Sequence, residues 1–286
     1  MSRGARISAE NFLAITDVFK CNGWEIPEGT SGYESRFNRF CERLSLLDND
    51  EQKFIIDLTR RFTAIDSTEY LSVIMKLLNE NTELRKTILS QNRKFYIFPL
   101  ISPDDFEKTK SSKFVWYLMR DEKIKYHKVF TEKELVFCDI CQVSWIENIK
   151  PSEKVLLVDD FIGSGETAEK AINWYINHHN TKLDKIAILA LAAQRAGIEA
   201  LQQKGIAVYT YYCFDKGISD FYTGDELDKY TTLMEKIESK LKVDARYNFG
   251  YNRSEALVAL TRAPNNTFPV FWRKNGKNKI VPFPRD

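Results

Sequence analysis

The stretch of this chain best suited to chemistry is Val155-Leu-Leu-Val-Asp-Asp-Phe-Ile-Gly-Ser-Gly-Glu-Thr167. Its apolar run, Val155–Val158, predicts a short strand buried on both faces, which puts Asp159 and Asp160 at the carboxyl end, where open α/β sheets bind their ligands. Adjacent acids there are costly unless something engages them. Gly163, Ser164, Gly165, Glu166 and Thr167 then make a tight turn into a helix, whose unpaired N–H groups, dipole and two hydroxyls suit a phosphate. A sugar phosphate satisfies both halves. The carboxylates would accept hydrogen bonds from ribose hydroxyls or hold Mg²⁺ while the loop cradles a monophosphate, each charge-assisted bond being worth about 1.5–3 kcal/mol. The plainer alternative, a capped helix after an acidic turn, does not account for the diacid falling at the same place. The loop lacks the Lys of G-x-x-x-x-G-K-[ST] and the G-x-G-x-x-G spacing, which disfavours nucleoside triphosphatases and NAD-dependent dehydrogenases.

These residues need a scaffold. The β-rich runs Phe95–Leu100, Val155–Val158, Ile186–Leu191 and Val208–Phe214 alternate with helical stretches, a pattern that implies an α/β fold with a parallel sheet. Helices are expected from Thr167 to His178 and from Arg195 to Lys204, with Gly205 as a stop. Residues 215–250 interrupt the alternation with a polar loop and a helix, Glu226–Leu241, and a short strand is expected at Phe268–Trp272. From Ser8 to Ser90 the apolar residues recur at three- and four-residue steps, as in Phe54/Ile55/Leu58/Phe62 and Leu71/Ile74/Leu77/Leu78, which reads as a helical bundle. Asp48-Asn49-Asp50 and Asp66-Ser67 are natural N-caps for its later helices. The expected organisation is therefore a helical module, 1–91, before an α/β domain, 92–286.

Other candidates are less specific. Thr109-Lys-Ser-Ser-Lys113 follows the first strand of the α/β region, and Lys110 and Ser111 could serve a pyrophosphate, although such a sequence also caps a helix. Asn265, Asn266 and Thr267 could read a base or a hydroxyl, or simply form a turn. Arg195 would lie at the same sheet edge as the diacid. His178 and His179 fall at the far end of the loop's helix, where a capping role is expected. Cys138 and Cys141 have zinc-knuckle spacing without a second pair, so a structural role is expected for them. Arg262–Asp286 carries six basic residues and one acid among aromatics, a faint nucleic-acid signal.

The net charge of +2 gives no global field that would select an acidic partner. Five scattered cysteines make a poor disulfide framework, and no apolar run is long enough to cross a bilayer, so a cytoplasmic protein without membrane association is expected.

The diacid segment resembles the phosphoribosyl-diphosphate (PRPP) motif of type I phosphoribosyltransferases. That resemblance implies their parallel sheet flanked by helices, here preceded by an N-terminal helical bundle. It implies Asp159 and Asp160 as catalytic residues that contact the ribose hydroxyls and hold Mg²⁺ through Mg-PRPP. The substrate-binding set would be Gly163, Ser164, Gly165, Glu166 and Thr167 at the 5′-phosphate, with Lys110, Ser111, Asn265 and Asn266 around the ligand. Gly163 stands where many purine-transferring members carry an acid, so the likeness does not extend to purine salvage. Ala263-Pro-Asn-Asn-Thr-Phe-Pro-Val-Phe-Trp272 further resembles the ending of phosphoribosyltransferase-like domains in bacterial conflict systems, the retron-associated effectors. This implies a toxic antiphage effector, with a reverse transcriptase and nucleic acid complex as partner through the helical module. Two other readings compete: a non-catalytic PRPP or nucleotide sensor, and a nucleic-acid adaptor using the basic tail.

Overall fold

A computed structural model describes residues 6–27, 34–138, 149–179, 181–274 and 280–285, with only the backbone described at His179. Helices α1 (Ala9–Cys21), α2 (Arg36–Leu44) and α3 (Asn49–Arg60) precede a short strand, β1 (Thr63–Ala64). Helices α4 (Tyr70–Glu80) and α5 (Thr82–Leu89) lead into β2 (Lys94–Pro99), followed by α6 (Ser111–Leu118), α7 (Glu122–Lys125) and β3 (Glu134–Phe137). Strict alternation follows: β4 (Glu153–Ile162), α8 (Glu166–His179), β5 (Ile186–Gln194), α9 (Arg195–Gln202) and β6 (Ala207–Phe214). The described elements end with α10 (Gly224–Lys240) and β7 (Val258–Ala259). None of the described helices is long and apolar enough to cross a membrane.

The chain divides into two compact units, Asp66–Phe214 and Met1–Ile65 with Asp215–Asp286. The first unit is built on a five-stranded sheet in the order β3-β2-β4-β5-β6, every neighbouring pair parallel. Such a sheet needs cover on both faces, and β5, Ile-Ala-Ile-Leu-Ala-Leu-Ala-Ala-Gln, is buried along its whole length. Val155, Leu157, Ile188 and Ala190 pack with Ala171 and Ile172 of α8 and Leu201 of α9. The alternating residues Leu156, Val158, Leu189 and Leu191 are equally buried, on the side of α4 and α6, which contact these strands.

Strand order fixes where a ligand can enter. The chain starts at β2, adds β3 on one side, then winds β4, β5 and β6 onto the other, so its direction reverses between β2 and β4. In open parallel sheets the crevice at such a reversal, at the carboxyl edge, is the ligand site.

The two units do not part at residue 91. Helices α4 and α5 belong with the sheet, because the apolar side of α4, Val73, Ile74, Leu77 and Leu78, covers it. A three-and-four periodicity tells that a helix buries one side, and is silent about what covers that side. The C-terminal segment joins α1–α3: Phe62 stacks on Phe283 at 4.6 Å between centroids, Phe40 packs on Phe271, and β1 pairs with β7. The expected strand at Phe268–Trp272 is instead a 3-10 turn, Pro269–Phe271. Pro269 lacks the N–H that a ladder needs, and its fixed φ suits the first position of a turn.

The second unit also holds a buried acid. Glu238 on α10 is 2% exposed and accepts the Phe249 N–H with both oxygens, at 2.9 and 3.1 Å. Burial pushes its carboxyl from 4.5 up to about 7, against the pull of that N–H and of Arg253. The folded state therefore holds this proton more tightly than the unfolded chain. The contribution is complete below about pH 4.5 and is lost as pH rises through about 7. We expect the urea-unfolding free energy to fall by about 1 kcal/mol between pH 6 and pH 8 on account of this group. Glu238→Gln should flatten that difference, and an unchanged slope in this variant would refute the assignment.

Candidate functional site

Strand β4 runs past the diacid to Ile162 instead of stopping at Val158. Its two neighbours explain why: β5 pairs with it as far as Ile162, whereas the pairing of β2 stops at Val158. Asp159 and Asp160 thus lie one and two residues beyond the last pairing with β2, on the side where the sheet reverses.

Consecutive strand residues point to opposite faces. Asp160 is buried, and both of its oxygens are engaged by residues that open helices. Ser111 Oγ at the start of α6 donates to Oδ1 at 2.7 Å, and the hydroxyl of Tyr70 at the start of α4 donates to Oδ2 at 3.2 Å. Tyr70 is itself fully buried, with its ring 5.6 Å from Phe114. Asp159 Oδ1 accepts the Asp160 N–H at 2.9 Å. Burial first, and then the charge and hydrogen bonding of Asp160, hold the Asp159 carboxyl well above the usual carboxylate range, against the opposing charge of Lys110. Lys110 Nζ is paired with Asp105 at 2.6 Å.

The loop after β4 turns tightly into α8. Gly165 has φ +86°, a left-handed conformation that an L side chain rarely adopts, and its carbonyl accepts the Glu169 N–H at 2.9 Å as α8 begins. Glu166 and Thr167 are exposed in the first turn, where helix N–H groups have no partner within the helix. Gly163 and Ser164 are half-buried. Beneath them lies Gly197 of α9, where an added Cβ would come within 1.9 Å of the Gly163 carbonyl oxygen.

Among the residues singled out in the sequence, the structure brings Asp159, Asp160, Gly163–Thr167, Lys110 and Ser111 into one unit. Asn265 and Asn266 belong to the other, where they hold a turn together. The Asn265 carbonyl accepts the Tyr251 N–H at 2.8 Å, Asn266 Nδ2 donates to Ser254 Oγ at 3.2 Å, and Thr267 Oγ1 donates to the Val258 carbonyl at 2.6 Å. Trp272 Nε1 closes the turn on the Thr267 carbonyl at 2.7 Å. Arg195 is exposed at the start of α9. His178 stacks on Trp174, with Nδ1 2.9 Å from its carbonyl oxygen. Cys138 is buried, while Cys141 and the His179 side chain lie outside the described residues.

Sequence reasoning missed two residues. Tyr70 sat in a helix assigned to another module, and no local signal tied it to residue 160. Gly197 did carry a signal: a glycine inside a helix costs about 1 kcal/mol against alanine, which points to a packing demand.

With this geometry in place, the comparisons with known proteins are informative. The sequence model of the PRTase-CE family matches residues 39–285, and the chain belongs to that family, whose name carries the abbreviation for phosphoribosyltransferase. Among solved structures, the crystal structure of orotate phosphoribosyltransferase from Aeropyrum pernix is similar at 13% identity and a TM-score of 0.28, covering 78% of this chain and 98% of that one. A likeness that slight transfers no residue roles. No curated protein matches the chain.

Two substitutions test the geometry. Gly197→Ala improves intrinsic helix propensity, so any loss isolates the clash with Gly163; the expected outcome is a stability loss of about 1–3 kcal/mol or a displaced loop. A crystal structure of the variant with the loop unmoved and full stability would refute the contact. Tyr70→Phe leaves a buried carboxylate oxygen short of a donor, and urea unfolding should show a loss of about 1.5–3 kcal/mol. No change would show that Tyr70 does not hold Asp160.

Proposed function

We propose that the protein binds PRPP or a ribose-5-phosphate nucleotide at the Asp159–Asp160 edge and acts at the anomeric carbon of the sugar. The observation that carries this is the coincidence, at the reversal between β2 and β4, of a diacid, a glycine loop opening a helix, and the start of α6. Ribose hydroxyls would donate to the carboxylates, and the N–H groups of the Gly163–Thr167 loop would take the 5′-phosphate.

In the transferase direction the bond from C1 to the pyrophosphate oxygen breaks, its electron pair leaving with pyrophosphate, while the acceptor's lone pair forms the new bond to C1. Such a step needs positioning and charge neutralisation more than covalent help. Lys110 supplies a cation beside the diacid. Two neighbouring carboxylates are, once ionised, a donor set suited to a hard cation. We therefore assign Mg²⁺ to Asp159 and Asp160 through Mg-PRPP, where it would neutralise the departing pyrophosphate. Gly163 offers no side chain to act as a base.

The biological role we propose is that of a toxic effector in an antiphage, retron-type system, on the strength of the resemblance in the PRPP motif and in Pro264–Trp272. We assign contact with a reverse transcriptase and nucleic acid complex to the N-terminal helices, where Phe12 and Leu13 of α1 are 46% and 63% exposed. A second reading, a non-catalytic PRPP or nucleotide sensor, draws support from the bonds between Asp160 and the first residues of α4 and α6. A ligand that replaced those hydroxyls would act on two helices at once.

Calorimetry with PRPP and Mg²⁺, followed by phosphorus NMR of the same sample, separates these readings. We expect binding that Asp159→Ala with Asp160→Ala weakens at least about tenfold, the equivalent of the one charge-assisted bond that Asp159 adds, together with loss of toxicity in cells. New phosphorus signals would mean turnover, and unchanged ones would favour the sensor. Toxicity retained by a folded double variant would overturn the proposal. Because the Asp159 carboxyl is raised, affinity should also weaken on acidification from neutral pH, earlier than an ordinary carboxylate would titrate. A pH-independent affinity between pH 5 and pH 8 would show that ionised Asp159 is not a ligand contact.

A further inference from the structure

At the β3 edge of the sheet, away from the diacid, lies an open groove of about 560 Å³. Among the described residues three cations line it, Arg120, Lys125 and Lys133, along with the aromatic rings of Tyr126, Phe130 and Phe137, and no acid. Among the described residues none of the three cations pairs with a carboxylate. Arg120 lies over the Trp116 ring at 4.1 Å and near the Phe137 ring at 5.3 Å, and it is exposed. Lys133 Nζ is anchored on the carbonyls of Asn92 and Ser90 at 2.8 and 3.2 Å, and both oxygens are uncharged. Tyr126 is 76% exposed.

Cations without a carboxylate partner among the described residues, two of them held in place, call for an anion, and an exposed ring beside them calls for a flat partner. A nucleic-acid strand supplies both at a regular spacing, phosphates for the cations and a base for the ring. An open groove along a sheet edge also lets a chain pass through, whereas a small ligand is usually enclosed. We propose that this groove binds single-stranded nucleic acid, with a base stacked on Tyr126 and backbone phosphates on Arg120, Lys125 and Lys133. The site is distinct from the diacid. Helix α6 separates them, with Ser111 bonded to Asp160 at its start and Arg120 two residues beyond its end, about 12 Å of helix at 1.5 Å per residue.

Fluorescence anisotropy of the full chain with a labelled single-stranded uridine oligomer, over a series of salt concentrations, tests this. Three phosphate contacts predict a slope of log K against log salt of about −2, at roughly 0.7 per contact. Lys125→Ala should make the slope shallower by about 0.7, and Tyr126→Ala should weaken binding about tenfold or more. Both side chains are exposed, so unchanged melting temperatures are expected and separate binding from folding. The proposal is overturned if the wild type does not bind, or if both variants bind as well as wild type, which would move the contact elsewhere, such as the basic tail. It is also overturned if uridine monophosphate at equal nucleotide concentration displaces the oligomer, which would make the groove a mononucleotide pocket.

Discussion

Two carboxylates on consecutive residues of a buried strand repel each other and lose their water together, and much of the sheet unit is arranged around that cost. Asp160 is given two hydroxyl donors, one from each of two helices, and Asp159 is given a backbone N–H. The N-termini of α4 and α6 thereby converge on one point of β4. Strand order makes the convergence available, because β2 ends at Pro99 and leaves the far side of Asp159 and Asp160 without a ladder neighbour. Had β2 continued, main-chain pairing would have filled the space where a ligand can approach.

The loop is held by a different device. The Leu201 side chain packs close to Gly165, and under Gly163 the backbone of α9 meets the loop directly, through the missing side chain at Gly197. A cradle formed by backbone against backbone tolerates little movement, since each atom is fixed by regular structure on both sides. Rigidity of this kind suits recognition by main-chain N–H groups, whose direction is set by the helix that they open.

The sequence showed the parallel sheet, most of its strands, the helices that follow β4 and β5, and the diacid loop, because these features are local: an apolar run of strand length, a glycine turn, a helical period. It did not show where the units divide. Val73, Ile74, Leu77 and Leu78 of α4 have the same spacing whether they cover a neighbouring helix or a sheet, so α4 was grouped with the helices before it. Phe62 and Phe283 meet although they are 221 positions apart in the sequence, and nothing local marks either as the partner of the other. Tyr70 was unreadable for the same reason. Pro264–Trp272 had the composition of a site and of a turn alike, and in the structure its polar groups make the internal bonds of a turn.

The hydroxyls on Asp160 bear on how a ligand would bind. A ribose hydroxyl that reached this carboxylate would replace a tyrosine or serine hydroxyl of similar donor strength, so the exchange would bring little net free energy. Affinity would then have to come from the phosphate in the loop, from Asp159, and from charge neutralisation beside Lys110. A sugar without a 5′-phosphate would gain little at such a site. A phosphorylated one would gain enough to displace the internal hydroxyls, and the displacement would be felt at the first turns of α4 and α6. Selectivity for the phosphorylated sugar and a mechanical response to its arrival would thus have one origin, a carboxylate already satisfied before the ligand comes.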